Sequence, residues 1–257
     1  MQSLNIAIIQ SDLFWESPKN NYKSFTQKID QINTKVDLII LPETFSTGFT
    51  SNVEYASKSA LQSIAWMKEQ SKKKRAAITG SVICKNDRNL LVNRLFFITP
   101  EEELYYYDKA NLFPLSSNSS SKPEASLLTA GTERKIITYK GWKILPTVCF
   151  DLRFPLWNYN NLKYDILLNI ANWPSLRSQD WKVLLQARAI ENQAYTIGCN
   201  RVGKASAINL DYSGDSQCID YQGKILGSLT PYTEGVIINS IQKKPMIDHR
   251  NKFPILD

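Results

Sequence analysis

Runs of seven to nine residues dominated by Ile, Leu, Val and aromatic side chains recur nine times along this 257-residue chain: LNIAIIQ (4–10), VDLIILPE (36–43), AAITGSVI (76–83), NRLFFIT (93–99), KILPTVCF (143–150), YDILLNIAN (164–172), AYTIGCNRV (194–202), QCIDYQG (217–223) and GVIINSI (235–241). Such runs are short and bounded by turn residues, which suits strands buried on both faces. So many of them exclude a helical protein. Between the first three runs the pattern changes to a helical period, with Tyr22, Phe25, Ile29 and Ile32 in one stretch and Leu61, Ile64 and Met67 in the next. A third stretch spaces Trp181, Leu184, Leu185 and Ala189 in the same way, with Ser178 as its expected N-cap. TPEEE (99–103) and YKGW (139–142) have the composition of hairpin turns, so antiparallel pairs are mixed into an otherwise helix-alternating order. The expected class is α/β with a mixed sheet.

A chain of this length with 43% hydrophobic residues can bury a large core, and with neither repeat nor linker it is expected to form one domain, 1–257. The Ser-rich stretch SSNSSSKPE (116–124) is compositionally odd and reads as a flexible loop. No run approaches the ~18 apolar residues of a membrane span, and MQSLNIAIIQSD has no signal-peptide character, so a cytoplasmic chain without membrane association is expected. Cys84, Cys149, Cys199 and Cys218 are far apart and form no CxxC pair, which fits reduced thiols and predicts no metal. The net charge of +7 is concentrated only in KKKR (72–75) and QKK (242–244), without interleaved aromatics, and does not amount to a nucleic-acid site.

Three reactive residues stand where apolar strands end: Glu43 after LIILP, Lys109 after the tyrosine-rich LYYYD, and Cys149 within PTVCFDLRFP. Each has a structural alternative, as a loop acid, a lysine reaching to solvent and a small buried thiol. Together they stand where α/β sheets assemble sites. A free thiol is mostly protonated at neutral pH and needs a base or a positive field to act as a nucleophile. Histidine is the usual base, but the only one is His249, near the end of the polar MIDHRNKFPILD. A Cys-His pair is therefore not expected. Glu43 would take the proton, and Lys109 would lower the thiol pKa and place positive charge where an oxyanion develops.

LPETF, YDKANLF, TVCFDLRFP, TAGTER (129–134), ANWP, QARAIENQAY and NRVG…YSGDSQCIDYQG together resemble the nitrilase superfamily of carbon-nitrogen hydrolases, and within it the bacterial ω-amidase branch. The resemblance spans nearly the whole chain. It implies a four-layer α-β-β-α sandwich with mixed sheets, commonly a homodimer, and a Glu-Lys-Cys triad falling on Glu43, Lys109 and Cys149. A second family glutamate, five residues before the TAG tripeptide, falls on Glu124 and would orient the lysine or the substrate amide. Two departures are visible: Asn111 stands where the related pattern has histidine, and the segment from Phe113 to Thr129 is longer.

The implied reaction is hydrolysis of a small-molecule amide through a cysteine thioester, needing no cofactor, with Lys109 and the backbone N–H of Phe150 binding the oxyanion. An ω-amidase substrate is the monoamide of a short dicarboxylate, such as α-ketoglutaramate or α-ketosuccinamate, and its free carboxylate needs a cation. Arg153 is the candidate, because a guanidinium grips a carboxylate bidentately; its alternative is an ion pair with Asp151 or another acid. Trp173 either walls the pocket or belongs to the core or an interface. Rival readings are an N-carbamoyl amine, aliphatic amide or nitrile hydrolase of the same superfamily, or a binding scaffold that has lost turnover.

Overall fold

The computed structural model describes residues 2–116 and 122–256, so most of the loop expected at 116–124 lies outside the described residues. The first half of the chain contains β1 (Ser3–Gln10), α1 (Pro18–Asp30), β2 (Leu38–Ile40), α2 (Val53–Lys58), α3 (Ala60–Lys74), β3 (Ala77–Lys85), β4 (Leu91–Ile98) and β5 (Leu104–Asp108). The second contains β6 (Ile137–Tyr139), β7 (Trp142–Val148), α4 (Pro155–Asn158), β8 (Ile166–Ala171), α5 (Ser178–Asn192), β9 (Tyr195–Asn200), β10 (Val202–Ala205), β11 (Leu210–Ser213), β12 (Gln217–Ile219), β13 (Ile225–Ser228), β14 (Gly235–Gln242) and α6 (Lys243–Lys252). These build two six-stranded sheets, ordered β14-β1-β2-β3-β4-β5 and β13-β12-β9-β8-β7-β6, with β10-β11 as a separate ribbon. Both are mixed: β1-β2-β3 and β7-β8-β9 run parallel, and the outer pairings are antiparallel.

The sheets pack face to face. In β1, Leu4, Ile6 and Ile8 enter the core between the sheets, whereas Ala7 and Ile9 pack on the helix side with Phe25 and Ile29 of α1 and Met67 of α3. In β8, Ile166, Leu168 and Ile170 likewise face the first sheet, and Leu167 and Ala171 pack against Trp181, Leu185 and Ala189 of α5. Because side chains alternate between two buried faces, both sets must be apolar, which is why these strands read as continuous runs. Each fully buried Leu or Ile contributes about 1.5–3 kcal/mol. The four layers expected from the resemblance are therefore present.

Local details refine the sequence reading. YKGW closes β6 onto β7 with Lys140 and Gly141 at φ of 45° and 72°, as a two-residue hairpin turn requires. Leu61 is 83% exposed, so the inner stripe of α3 runs through Ala60, Ser63, Trp66, Met67 and Gln70 instead. Ser178 does not cap α5: it is the first helical residue, and its hydroxyl donates to Asp215 at 2.8 Å. The C-terminal stretch read as polar is helical through Lys252, with the His249 ring of α6 tilted against that of Tyr221 at 5.2 Å. Among the described residues, no helix is long and apolar enough to cross a membrane.

Candidate active site

Glu43, Lys109 and Cys149 converge at one end of the two sheets, Lys109 and Cys149 directly after their strands and Glu43 three residues after β2. Leu41 still donates to Thr79 of β3, but Pro42 ends the ladder, and Thr44 turns the chain with φ of 43°. Lys109 follows β5 directly and is pinned on both sides, its N–H donating to the Asn93 carbonyl and its own carbonyl accepting from Gly131 N–H at 2.8 Å. A Cβ at Gly131 would stand 2.2 Å from the Asp108 carbonyl oxygen, so this approach requires glycine, which explains the TAG tripeptide. Glu124 enters on a short 3-10 turn, Glu124–Ser126.

All three charged groups are buried, with Glu43 0%, Lys109 1% and Glu124 3% exposed. Lys109 Nζ donates to Glu43 Oε1 at 2.9 Å and to Glu124 Oε1 and Oε2 at 3.0 and 2.8 Å. The remaining acceptor capacity is also met. Asn93 Nδ2 donates to Glu43 Oε1 (2.8 Å), Asn172 N–H to Glu43 Oε2 (2.8 Å) and Phe113 N–H to Glu124 Oε2 (2.8 Å). Burial works against the charge on Lys109, but Glu124 and Glu43 outweigh it and hold its pKa well above the usual lysine range. Glu124 itself is raised by burial and by Glu43, against the pull of Lys109.

Cys149 follows β7 directly with φ of +47°, in the left-handed region that a non-glycine residue enters only under constraint. Asp151 supplies the constraint. Its Oδ2 accepts from Val148 N–H at 2.9 Å and from Tyr107 OH at 2.7 Å, and its Oδ1 accepts from both the backbone N–H and the Nδ2 of Asn111 at 2.8 Å. One carboxylate thus ties the cysteine turn to the chain on either side of Lys109. Asn111, the departure from the family pattern, belongs to this brace.

The thiol pKa is pushed well above its ordinary value, first by burial and then by Glu43, with Lys109 pulling it down. Lys109 pulls in the expected direction, but depth and the two carboxylates, which already claim the lysine's charge, outweigh it. At rest Cys149 is a neutral thiol with the Glu43 carboxyl group beside it.

Cys149 and Lys109 open onto a cavity of about 160 Å³ walled by Phe49, Phe113, Phe150, Trp173 and Tyr212, with Arg153 and Arg177 also lining it. Trp173 is 3% exposed and donates from Nε1 to the Arg177 carbonyl, so it serves both core and wall. Phe150 packs edge-on against Phe113 at 5.3 Å. Arg153 has both properties left open for it: it lines the cavity, and it pairs with an acid, Asp180, at 2.5 Å. Asp151, the acid first considered, is taken up by the cysteine turn. Asn93, Asn172 and Arg177 are not singled out by the sequence, and Asp151 enters there only as a possible partner of Arg153. The two asparagines carried a signal, polar residues within or ending otherwise apolar strands.

Comparison with known proteins matches the family described as carbon-nitrogen hydrolase over residues 5–250. The chain is 37% identical to the omega-amidase YafV of Escherichia coli (strain K12), covering 99% of this chain and 96% of the relative. It is 29% identical to the 2-oxoglutaramate amidase of Bacillus subtilis (strain 168), covering 98% and 96%. Among solved structures it is similar to the CN-hydrolase superfamily protein XC1258 from Xanthomonas campestris, described with an arsenic adduct in its active site, with a TM-score of 0.91, 36% identity and coverage of 99% and 96%.

Proposed function

The chain belongs to the carbon-nitrogen hydrolase family, and on that footing we propose that it is an ω-amidase, cleaving the terminal amide of a short dicarboxylate monoamide to the dicarboxylate and ammonia. The observation that carries the reading is the buried Glu43–Lys109–Glu124 cluster beside Cys149 at the floor of one cavity. Glu43 takes the thiol proton as the sulfur attacks the amide carbon. Lys109 has three N–H donors, so releasing one Glu124 contact frees a donor for the oxyanion. The Phe150 N–H, in the first turn of the 3-10 helix Cys149–Arg153 where intrahelical acceptors are lacking, supplies the second. Glu43 returns its proton to the departing ammonia and then activates the water that hydrolyses the thioester. Glu124 fixes the lysine, and one stoichiometric water is consumed per amide.

In this reading residues 1–257 act as one domain, in the cytoplasm, as a homodimer. The dimer reading is supported by exposed apolar side chains on α4 and α5, with Leu156 86%, Val183 51% and Ile190 51% exposed. The test of the activity is ammonia release from 2-oxoglutaramate, succinamate, an N-carbamoyl amine, butyramide and a short nitrile. The dicarboxylate monoamides should give the highest kcat/KM, and Cys149→Ala should retain less than about a thousandth of it while remaining folded. A higher kcat/KM for the carbamoyl amine or nitrile, or activity persisting in that variant, would overturn the reading.

A further inference from the structure

We infer that Arg177, on the turn leading into α5, receives the free carboxylate of the substrate, and that Arg153 does not; the inference rests on the ω-amidase reading. Three cations line the cavity with Cys149, namely Lys109, Arg153 and Arg177. Lys109 is answered by Glu43 and Glu124. Arg153 has Asp180 on one edge at 2.5 Å, and its plane lies over Trp173 at 4.9 Å. Arg177 lies over the Phe113 ring at 5.3 Å, and among the described residues its guanidinium has no carboxylate within ion-pair distance and no hydrogen-bond acceptor. Residues 117–121 are Ser and Asn, so that segment brings no acid to it.

A guanidinium carries five N–H donors in a fork that fits a carboxylate. Beside aromatic walls, one without an anionic partner pays part of its desolvation cost with no return until an anion arrives. The opposite end of the cavity sharpens the need. The Glu43–Lys109–Glu124 cluster sets two carboxyl groups against one ammonium, so it offers no unclaimed positive charge to an anionic substrate, and a cation must stand nearer the substrate's carboxylate. Arg177 meets that requirement, and the class it selects is a short linear amide with a carboxylate at its far end.

The experiment compares kcat/KM for succinamate and for the neutral butyramide in the full-length enzyme, reading the ratio of the two so that a general loss of activity cancels. Arg177→Met should lower that ratio by about ten- to a hundredfold, mainly through KM, whereas Arg153→Met should move it less than about threefold. Arg177→Lys should recover part of the loss, since charge returns without the fork. Arg177→Glu should raise the preference for the cationic 4-aminobutanamide over succinamate, a gain that misfolding cannot imitate. A ratio unchanged in Arg177→Met, or one that collapses in Arg153→Met instead, overturns the inference and leaves the ω-amidase reading standing. Equal rates on succinamate and butyramide in the unaltered enzyme overturn that reading, and the inference with it.

Discussion

At the floor of the cavity each charged group has its partner within the protein, whereas at the mouth the charges are half-exposed and one of them, Arg177, has no anionic partner among the described residues. Lys109, Glu43 and Glu124 are nearly inaccessible and tied by backbone and asparagine donors from separate strands and loops. Arg153 and Asp180 keep 31% and 45% of their side chains exposed, and Arg177 rests against an aromatic ring. The difference separates two tasks. Reacting groups must be held to a fraction of an ångström, which burial and full hydrogen bonding achieve; groups that choose a substrate must exchange water for ligand, which partial exposure permits. An exposed ion pair contributes about 0–1 kcal/mol, but breaking a buried one costs about 3–5 kcal/mol because it strands a charge.

Lys109→Met tests the floor most severely. It strands two buried carboxylates, so it should abolish turnover and destabilise the fold by about 3–5 kcal/mol. The pH dependence has a definite sign. Glu124 is already raised above its usual range by burial and by Glu43, and losing Lys109 raises it further. A group with a raised folded pKa favours folding below its unfolded pKa and loses that contribution as pH rises through the folded value. The stability gap between variant and wild type should therefore widen from pH 5 to pH 8 in denaturant titrations. A gap that narrows over that range would mean that the carboxylates are not what the lysine stabilises.

Asp151→Asn probes the brace between the floor's two halves at smaller cost. Asp151 accepts four hydrogen bonds on two oxygens, and an amide keeps one acceptor oxygen and turns an NH₂ toward donors. The expected destabilisation is about 1–3 kcal/mol. As Asp151 positions the left-handed Cys149 and does not line the cavity, kcat should fall by about ten- to a hundredfold with KM nearly unchanged. A rise in KM with kcat intact would place Asp151 with the substrate-choosing groups at the mouth.

The floor was also the more legible region in the sequence. Strands buried on both faces announce themselves as apolar runs, and Glu43, Lys109 and Cys149 are conspicuous because each follows one directly. Glu124 came only from the spacing of the TAG motif, since nothing local marks a carboxylate that reaches Lys109 from a loop. The mouth depends on contacts across the fold. The partner of Arg153 lies 27 residues away on α5, and Arg177 is distinguished by a contact it lacks among the described residues, which no residue pattern encodes. The thiol's upward shift was missed because it follows from depth and from the balance of three charges. The short strands β10 and β11, a half-exposed ribbon, and β13, a largely exposed edge strand, escaped because they carry no continuous apolar run.

His249→Ala should have the smallest effect, and it tests whether the floor is complete without a histidine. His249 sits in α6, 5.2 Å from the Tyr221 ring and 6.4 Å from that of Phe253, and it does not line the cavity. Losing those ring contacts should cost no more than about 1 kcal/mol. With Glu43 as base, kcat/KM should stay within about twofold of wild type and the pH–rate profile should keep its shape. If instead an ionisation disappeared from the profile, the proton removed from Cys149 would pass through His249, and Glu43 would be left orienting Lys109. The distinction is sharp, because a purely structural loss lowers the whole profile without moving either limb.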